Sequence, residues 1–169
     1  MNPSSDWKTK TSGGKHMTKD SNFQDTQSLR PRRERLGLVV DGSNAAAAVK
    51  TIVSAEAARV RQVWMTQPPF CPDVMTTFAA AAAKTSTICM GTSIVPTYPR
   101  HPLVLAQQAL SLHDLAPGRF CLGIGPSHRF IIEDCYGLHH KTPLAHLQEY
   151  VKVLRDALGR EGRSSWAFL

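Results

Sequence analysis

The sequence lacks a long hydrophobic run. No apolar stretch approaches the roughly 20 residues of a membrane-spanning helix. The first residues, MNPSSDWKTKTSGGKH, also lack the apolar segment of a secretory signal. With 42% hydrophobic and 20% charged residues, the composition is typical of a globular domain rather than of a disordered or membrane chain. We therefore expect a cytoplasmic protein with one ordinary domain in its 169 residues.

Cysteine is scarce and shows no metal-binding spacing. The four cysteines, Cys71, Cys89, Cys121 and Cys135, form no CxxC pair and have no histidine at a metal-ligand spacing. Because Cys89 and Cys121 lie within apolar runs, we expect buried free thiols, which suit a reducing compartment. We expect no metal site.

Basic residues are unevenly distributed along the chain, whose formal net charge is +7. Residues 1–36 carry eight Lys and Arg against four Asp and Glu, whereas residues 37–158 carry ten against eight. A folded nucleic-acid-binding domain more often has a basic stripe with interleaved aromatics on the domain itself. Residues 1–35 also lack periodicity, so we predict a disordered, basic, solvated tail. The alternative is an arm that contacts phosphate groups.

Apolar strand-like runs alternate with helical segments from residue 36 onward. The runs begin near residues 36, 62, 87 and 119, and each precedes an alanine-rich or amphipathic segment. Residues that favour helix starts precede these segments: Ser43 or Asn44, Asp73, His101 with Pro102, and Thr142 with Pro143. Four strand–helix units predict a parallel sheet covered by helices. Two architectures fit this order, an open doubly wound sheet and part of a (β/α)8 barrel.

The glycine-rich stretch GIGPSH does not match a dinucleotide-binding loop. Gly123 and Gly125 follow a strand, but Pro126 interrupts the turn and His128 stands where the third glycine is needed. The stretch also follows the fourth strand, whereas that fingerprint belongs to the first strand–helix turn. We therefore expect no nucleotide site of the Rossmann kind.

The stretch from Met90 to His128, MGTSIVPTYPRHPLVLAQQALSLHDLAPGRFCLGIGPSH, resembles the bacterial luciferase-like family, in particular its F420-dependent oxidoreductases. The resemblance continues more weakly over residues 36–160 and corresponds to the N-terminal half of the family domain. It implies a (β/α)8 barrel with a flavin or deazaflavin lying across the carboxyl ends of the strands. It also implies hydride transfer to or from the central ring of that cofactor.

The resemblance further implies roles for residues at the ends of two strands. A cis peptide between Ser93 and Ile94, in a bulge at the end of strand three, would back the middle ring of the cofactor. Thr66 and Gln67, at the end of strand two, match positions that contact the ring or the substrate. Relatives often have Asp-His there, so this sequence departs from the pattern at the second strand.

The loop after strand four, which the resemblance places beside the cofactor ring, consists of Gly125, Pro126, Ser127 and His128. Some deazaflavin enzymes have an acidic Glu where His128 stands, so His128 is the candidate general acid or base. The alternative is a loop histidine that only forms hydrogen bonds. Asp41, after strand one, fits a turn residue better than a catalytic one.

Four strand–helix units are half of the expected barrel, since eight take about 250 residues. Residues 161–169 do not resemble the family, so we expect a truncated or frameshifted product whose domain occupies residues 36–160. Two functions follow. The first is a luciferase-like oxidoreductase that uses F420, or alternatively FMN, on a small-molecule substrate. The second is a non-catalytic fragment that associates with itself, for instance as a homodimer, or with a complementary half.

Overall fold

The computed structural model of the chain describes residues 36–159. The predictions for the basic tail, residues 1–35, and for the C-terminal end, residues 161–169, fall outside this part. Within the described range, no helix combines the length and the apolar character that crossing a membrane requires.

Six short strands in residues 36–159 form two parallel sheets. The first sheet has the order β1-β2-β3-β5, with β1 at Leu38–Val39, β2 at Gln62–Met65, β3 at Cys89–Thr92 and β5 at Phe120–Cys121. The second sheet pairs β4, Val95–Pro96, with β6, Ile124–Gly125. Because β4 follows β3 and β6 follows β5 after a two-residue break, the second sheet extends the first at its carboxyl edge. The predicted third and fourth strands are therefore each divided in two.

Each strand region is followed by a helix, as the sequence predicts. The helices are α1 at Ala45–Ala57, α2 at Val74–Ala82, α3 at Pro102–Leu115 and α4 at Pro143–Gly159. A π-helical turn at Ile131–Cys135, between β6 and α4, was not predicted. Its five residues are too short to produce a periodic pattern in the sequence.

Predicted capping residues begin the first three helices. Asn44 and Asp73 each accept a backbone N–H of the first helical turn through a side-chain oxygen, at 2.9 and 2.8 Å. His101 does the same through Nδ1 at 3.2 Å, and Pro102 takes the first helical position. These bonds satisfy donors that a helix start otherwise leaves unpaired, which confirms the predicted starts.

The core lies between the first sheet and the helices. Val63, Met65 and Met90 point from the strands into it and are almost fully buried. Phe78 of α2 meets Phe120 of β5 edge to face, with ring centroids 6.4 Å apart. The helices contact one another in chain order, α1 with α2, α2 with α3 and α3 with α4. Sequential strands with all helices on one side are typical of a barrel, so this architecture, not the doubly wound sheet, is correct.

Two charged side chains hold the amino edge of the sheet. The Glu56 Oε1 atom accepts the backbone N–H groups of residues 86–88 at distances between 2.6 and 3.0 Å. Burial would raise the pKa of Glu56, but these hydrogen bonds outweigh it and lower the pKa to about 2. Arg119 donates to the carbonyl groups of Thr85 and Ile88 at 3.1 and 3.2 Å. The turn before β3 is thus held from both sides.

The prediction of buried thiols is wrong for Cys89, which is exposed, and the other three cysteines are only half-buried. All four are free, as predicted. Alternate residues of a strand point to opposite faces of the sheet. Cys89 and Cys121 point away from the helices, to the face on which the described residues pack no second layer. An apolar run in the sequence does not show which face of the resulting strand is covered by another layer of the structure.

Candidate functional site

The candidate site lies between the end of β3 and the start of β4. The Ser93 N–H donates to the carbonyl of Met65, at the end of β2, at 2.8 Å. Beyond the break, the Val95 N–H donates to the Gly123 carbonyl at 2.9 Å. The peptide between Ser93 and Ile94 is cis, as predicted. The bulge is therefore bonded to the neighbouring strand on each side.

One buried side chain bridges the break between the two sheets. Thr92 is 1% exposed, and its Oγ1 accepts the Gly123 N–H and donates to the Gly123 carbonyl, both at 2.8 Å. The hydroxyl therefore gives the Gly123 N–H an acceptor, whereas the Gly123 carbonyl also accepts the Val95 N–H. Buried backbone groups need such partners, so Thr92 supports the break between the two sheets.

Two glycines lie on the strand region that faces the bulge, and glycine is required at the first of them. A Cβ atom at Gly123 would lie 2.1 Å from the Thr92 carbonyl oxygen, which belongs to the backbone and cannot yield easily. A Cβ at Gly125 would lie 3.3 Å from Cγ1 of Ile94, so the Ile94 side chain rests against this glycine. The two glycines let the bulge approach the fourth strand region closely.

The surface formed here is small and uncharged. Ser93 and Thr66 are exposed, Ile94 is half-buried and Gly125 is buried. Thr66 directly follows Met65, whose carbonyl binds Ser93. The structure thus brings the predicted residues of strands two, three and four to one edge, where hydroxyl, aliphatic and backbone groups are presented together.

Gln67 is engaged elsewhere. Its Oε1 atom accepts the Val74 N–H at 2.7 Å and its Nε2 atom donates to the Pro68 carbonyl at 3.1 Å. Both ends of the amide therefore hold the loop between β2 and α2 against the start of α2. A cofactor contact by Gln67 stays a prediction.

The loop after β6 leads from buried backbone to an exposed imidazole. Pro126 and Ser127 are half-buried, and Ser127 has a φ of 64°, in the left-handed region that residues with a side chain seldom adopt. His128 is exposed, and its ring stacks on Phe130 with centroids 5.8 Å apart and planes 13° apart. The imidazole is therefore held by an aromatic neighbour while remaining accessible to a ligand at this edge.

A cluster that the sequence did not reveal supports β4. The Tyr98 ring stacks on His146 of α4 at 4.0 Å, and the Tyr98 hydroxyl donates to the Lys141 carbonyl. His146 Nε2 lies 3.0 Å from Oγ1 of Thr97, directly after β4. Burial lowers the pKa of His146. No local pattern connects residues so far apart in the chain, so only the packing of α4 reveals the contact.

Charged residues at the same edge form contacts that stabilise the loops. Arg100 forms an ion pair with Asp73 at 2.6 Å, which joins the loop before α3 to the start of α2. Burial would raise the pKa of Asp73, but hydrogen bonds from Thr76 and Arg100 outweigh it and lower the pKa. Asp41 accepts the N–H and the hydroxyl of Ser43 at 2.9 and 2.8 Å, so its predicted turn role is confirmed.

The sequence matches the family described as luciferase-like monooxygenase over residues 23–168. A curated relative from Mycobacterium tuberculosis, named as a coenzyme F420-dependent oxidoreductase, is 35% identical over 89 residues. The matched segment covers 53% of this chain and 26% of the relative.

Two solved structures are similar in fold. An F420-dependent secondary alcohol dehydrogenase, in complex with an F420–acetone adduct, gives a TM-score of 0.62 at 21% identity, covering 70% of this chain and 40% of that one. A type II Baeyer–Villiger monooxygenase of Pseudomonas putida, in complex with FMN, gives 0.59 at 21% identity, covering 70% and 38%. The chain thus spans less than half the length of the proteins it matches.

Proposed function

The chain belongs to the luciferase-like monooxygenase family, and on that basis we propose that it is the N-terminal part of a hydride-transferring oxidoreductase. The proposed cofactor is a deazaflavin of the F420 type, with FMN as the alternative, and the proposed substrate is a small molecule. The observation that carries this proposal is the uncharged surface that Thr66, Ser93, Ile94 and Gly125 form together at the carboxyl edge of the strands.

The residues at this edge suit a flat, neutral ring. Ser93 and Thr66 offer exposed hydroxyl groups, Ile94 offers an aliphatic surface, and Gly125 has no side chain to obstruct a ligand. Ser93 and Ile94 would support one face of the ring, and Thr66 and Gly125 would border it. When bound, a cofactor of this class supplies the hydride transfer, so no protein side chain has to form a covalent bond.

His128 is the proposed general acid or base. Its exposed imidazole follows Pro126 and Ser127, which we assign to the wall beside the ring. A ring nitrogen of His128 would give a proton to, or take one from, a substrate oxygen, a role that an imidazole group often takes in enzymes. The alternative role is a hydrogen bond to the substrate without proton transfer.

The direct test is a titration of the 169-residue chain with F420 and with FMN, followed by cofactor fluorescence. We expect a Kd of about micromolar or lower for one of them. Ser93→Glu places a charge where the ring would lie and should weaken binding by about tenfold or more. Ser111→Glu, on the exposed surface of α3, is the matched control and should bind as the wild type does. If neither F420 nor FMN binds even at high cofactor concentration, the proposal is refuted.

A second candidate function is that of a non-catalytic fragment that acts only through association. It is favoured by the outer edges of β1 and β5, which pair with no further strand among residues 36–159 and can therefore receive one. The same titration separates the two candidates, because a purely associating fragment binds neither cofactor. For either function we propose the cytoplasm as the compartment, which the four free thiols support.

A further inference from the structure

The strand β4, which begins directly after Ile94, is also contacted from α4. Thr97 follows β4 and is 1% exposed. Its N–H donates to the Gly125 carbonyl at 2.9 Å, and its Oγ1 atom lies 3.0 Å from Nε2 of His146. Thr97 therefore joins a residue of the candidate site to a helix that lies far along the chain.

Gly125 connects this contact to the uncharged surface of the candidate site. It belongs to that surface and is buried, and the Ile94 side chain rests against it. One step earlier on the same pair of strands, the Val95 N–H donates to the Gly123 carbonyl at 2.9 Å. A displacement of Thr97 would thus move β4 relative to β6, and with it the contact between Ile94 and Gly125.

The imidazole of His146 is itself held in place. Its ring stacks on Tyr98, with centroids 4.0 Å and planes 15° apart, and the Tyr98 ring also contacts His140 at 5.0 Å. The His146 N–H donates to the Thr142 carbonyl at 2.9 Å, in the first turn of α4. Because both the backbone and the ring are fixed, the ring nitrogen has little freedom to follow a displaced Thr97.

The charge state of His146 suits this contact. Burial lowers the pKa of His146 from its ordinary 6.5, an effect that outweighs the opposing one of Glu149, and His140 lowers the pKa further. The imidazole is therefore neutral at neutral pH, and one of its two nitrogens is a hydrogen-bond acceptor. With the proton on Nδ1, the Nε2 atom accepts the Thr97 hydroxyl. A buried hydroxyl needs such a partner, so the two side chains fix each other.

We infer that His146 is a positioning residue of the candidate site, which acts on the cofactor-binding surface through Thr97 and Gly125. Its role is to keep β4 seated on β6, so that Ile94 and Gly125 present one continuous surface. The inference rests on the proposed function, because the shape of that surface matters only if a ring binds to it. Both elements that make the contact, β4 and α4, lie within the described residues.

The first experiment needs no cofactor and measures amide hydrogen exchange by NMR in the 169-residue chain. His146→Phe keeps an aromatic ring against Tyr98 but removes the nitrogen that meets Thr97. We expect exchange of the Val95 and Thr97 amides to become about tenfold faster, whereas that of the Met90 amide in β3 should change by less than about twofold. Unchanged exchange at both sites in the folded variant overturns the inference. Equal acceleration at Met90 also overturns it, because it would show a general loss of stability.

A second pair of variants tests the same contact from β4 and decides the matter if His146→Phe does not fold. Thr97→Val keeps the shape of the side chain but removes its hydroxyl, so it should accelerate exchange of the Val95 amide as His146→Phe does. Thr97→Ser retains the hydroxyl and should keep this exchange within about threefold of the wild type. Equal exchange rates in Thr97→Val and Thr97→Ser contradict the assigned contact.

The second experiment titrates F420 into the wild type, His146→Phe and the control His139→Phe. His139 is exposed in the loop before α4, so the control makes the same substitution outside the contact. We expect F420 to bind about tenfold more weakly to His146→Phe, because its surface is less well preorganised, and with unchanged affinity to His139→Phe.

The outcomes of this titration separate the inference from the proposed function. If folded His146→Phe binds F420 as tightly as the wild type does, the inference is wrong and the proposed function is unaffected. If the wild type binds neither F420 nor FMN, the proposed function is refuted, and the exchange rates alone decide whether His146 holds Thr97.

Discussion

Replacing Glu56 by glutamine tests how the amino edge of the sheet is stabilised. The Glu56 carboxylate accepts three backbone N–H groups of residues 86–88 and the hydroxyl of Thr87. Its pKa falls from 4.5 to about 2, because these hydrogen bonds outweigh the opposing effect of burial. Glutamine keeps the shape and an acceptor oxygen but removes the charge, so the variant isolates the charge-assisted part of the interaction.

The size of the effect follows from the pKa. At 1.36 kcal/mol for each pKa unit, the lowering of the Glu56 pKa corresponds to about 3 kcal/mol. Glu56 is partly exposed to water, which screens the interaction, so we expect Glu56→Gln to lower the free energy of unfolding by about 1–2 kcal/mol near neutral pH. Because the folded-state pKa is depressed, this stability is fully present above the unfolded value of 4.5. It is lost as the pH falls from there toward about 2.

The assay is urea denaturation of the wild type, Glu56→Gln and Glu149→Gln at several pH values between about 7 and about 2. Glu149 is exposed on α4, so its variant should change the free energy of unfolding by no more than about 0.5 kcal/mol. The wild type and Glu56→Gln should differ at neutral pH and converge in acid. A difference that persists unchanged in acid, or one no larger than that of Glu149→Gln, refutes the reasoning.

Three further outcomes test the candidate site. In thermal melts, Gly123→Ala should lower the free energy of unfolding by about 3 kcal/mol or more, because the new Cβ meets the Thr92 carbonyl. The control, Gly125→Ala, should lower it by less than about 1 kcal/mol in the same thermal melts. Equal losses for the two variants would contradict the assigned contact. Thr92→Val keeps the shape but removes the acceptor of the buried Gly123 N–H, so we expect a loss of about 2 kcal/mol in thermal melts. Thr92→Ser keeps the hydroxyl and should stay closer to the wild type in the same melts. His128→Gln should leave the affinity for F420 within about threefold of the wild type but slow any hydride transfer by about 100-fold. A large loss of F420 affinity would instead assign His128 to contact with the cofactor.

Local features of the chain were predictable from the sequence. Asn44, Asp73 and His101 cap the helices that they were expected to cap, because a cap bonds to residues only two or three positions away. The alternation of strands and helices follows from apolar periodicity, which is also local. The position of the cis peptide between Ser93 and Ile94 came from family resemblance, since neither composition nor periodicity identifies a cis bond between these residue types.

Tertiary structure alone decided how distant segments meet. The Tyr98–His146 stack and the bonds from Glu56 to residues 86–88 depend on how helices pack against the sheet, which a one-dimensional pattern does not contain. Cys89 illustrates the reason most clearly. Its apolar run indicates that the segment prefers burial, but the exposed side is set by the layers that pack against it. The sequence determined which segments form strands and helices, and three-dimensional packing determined which surfaces remain available for binding.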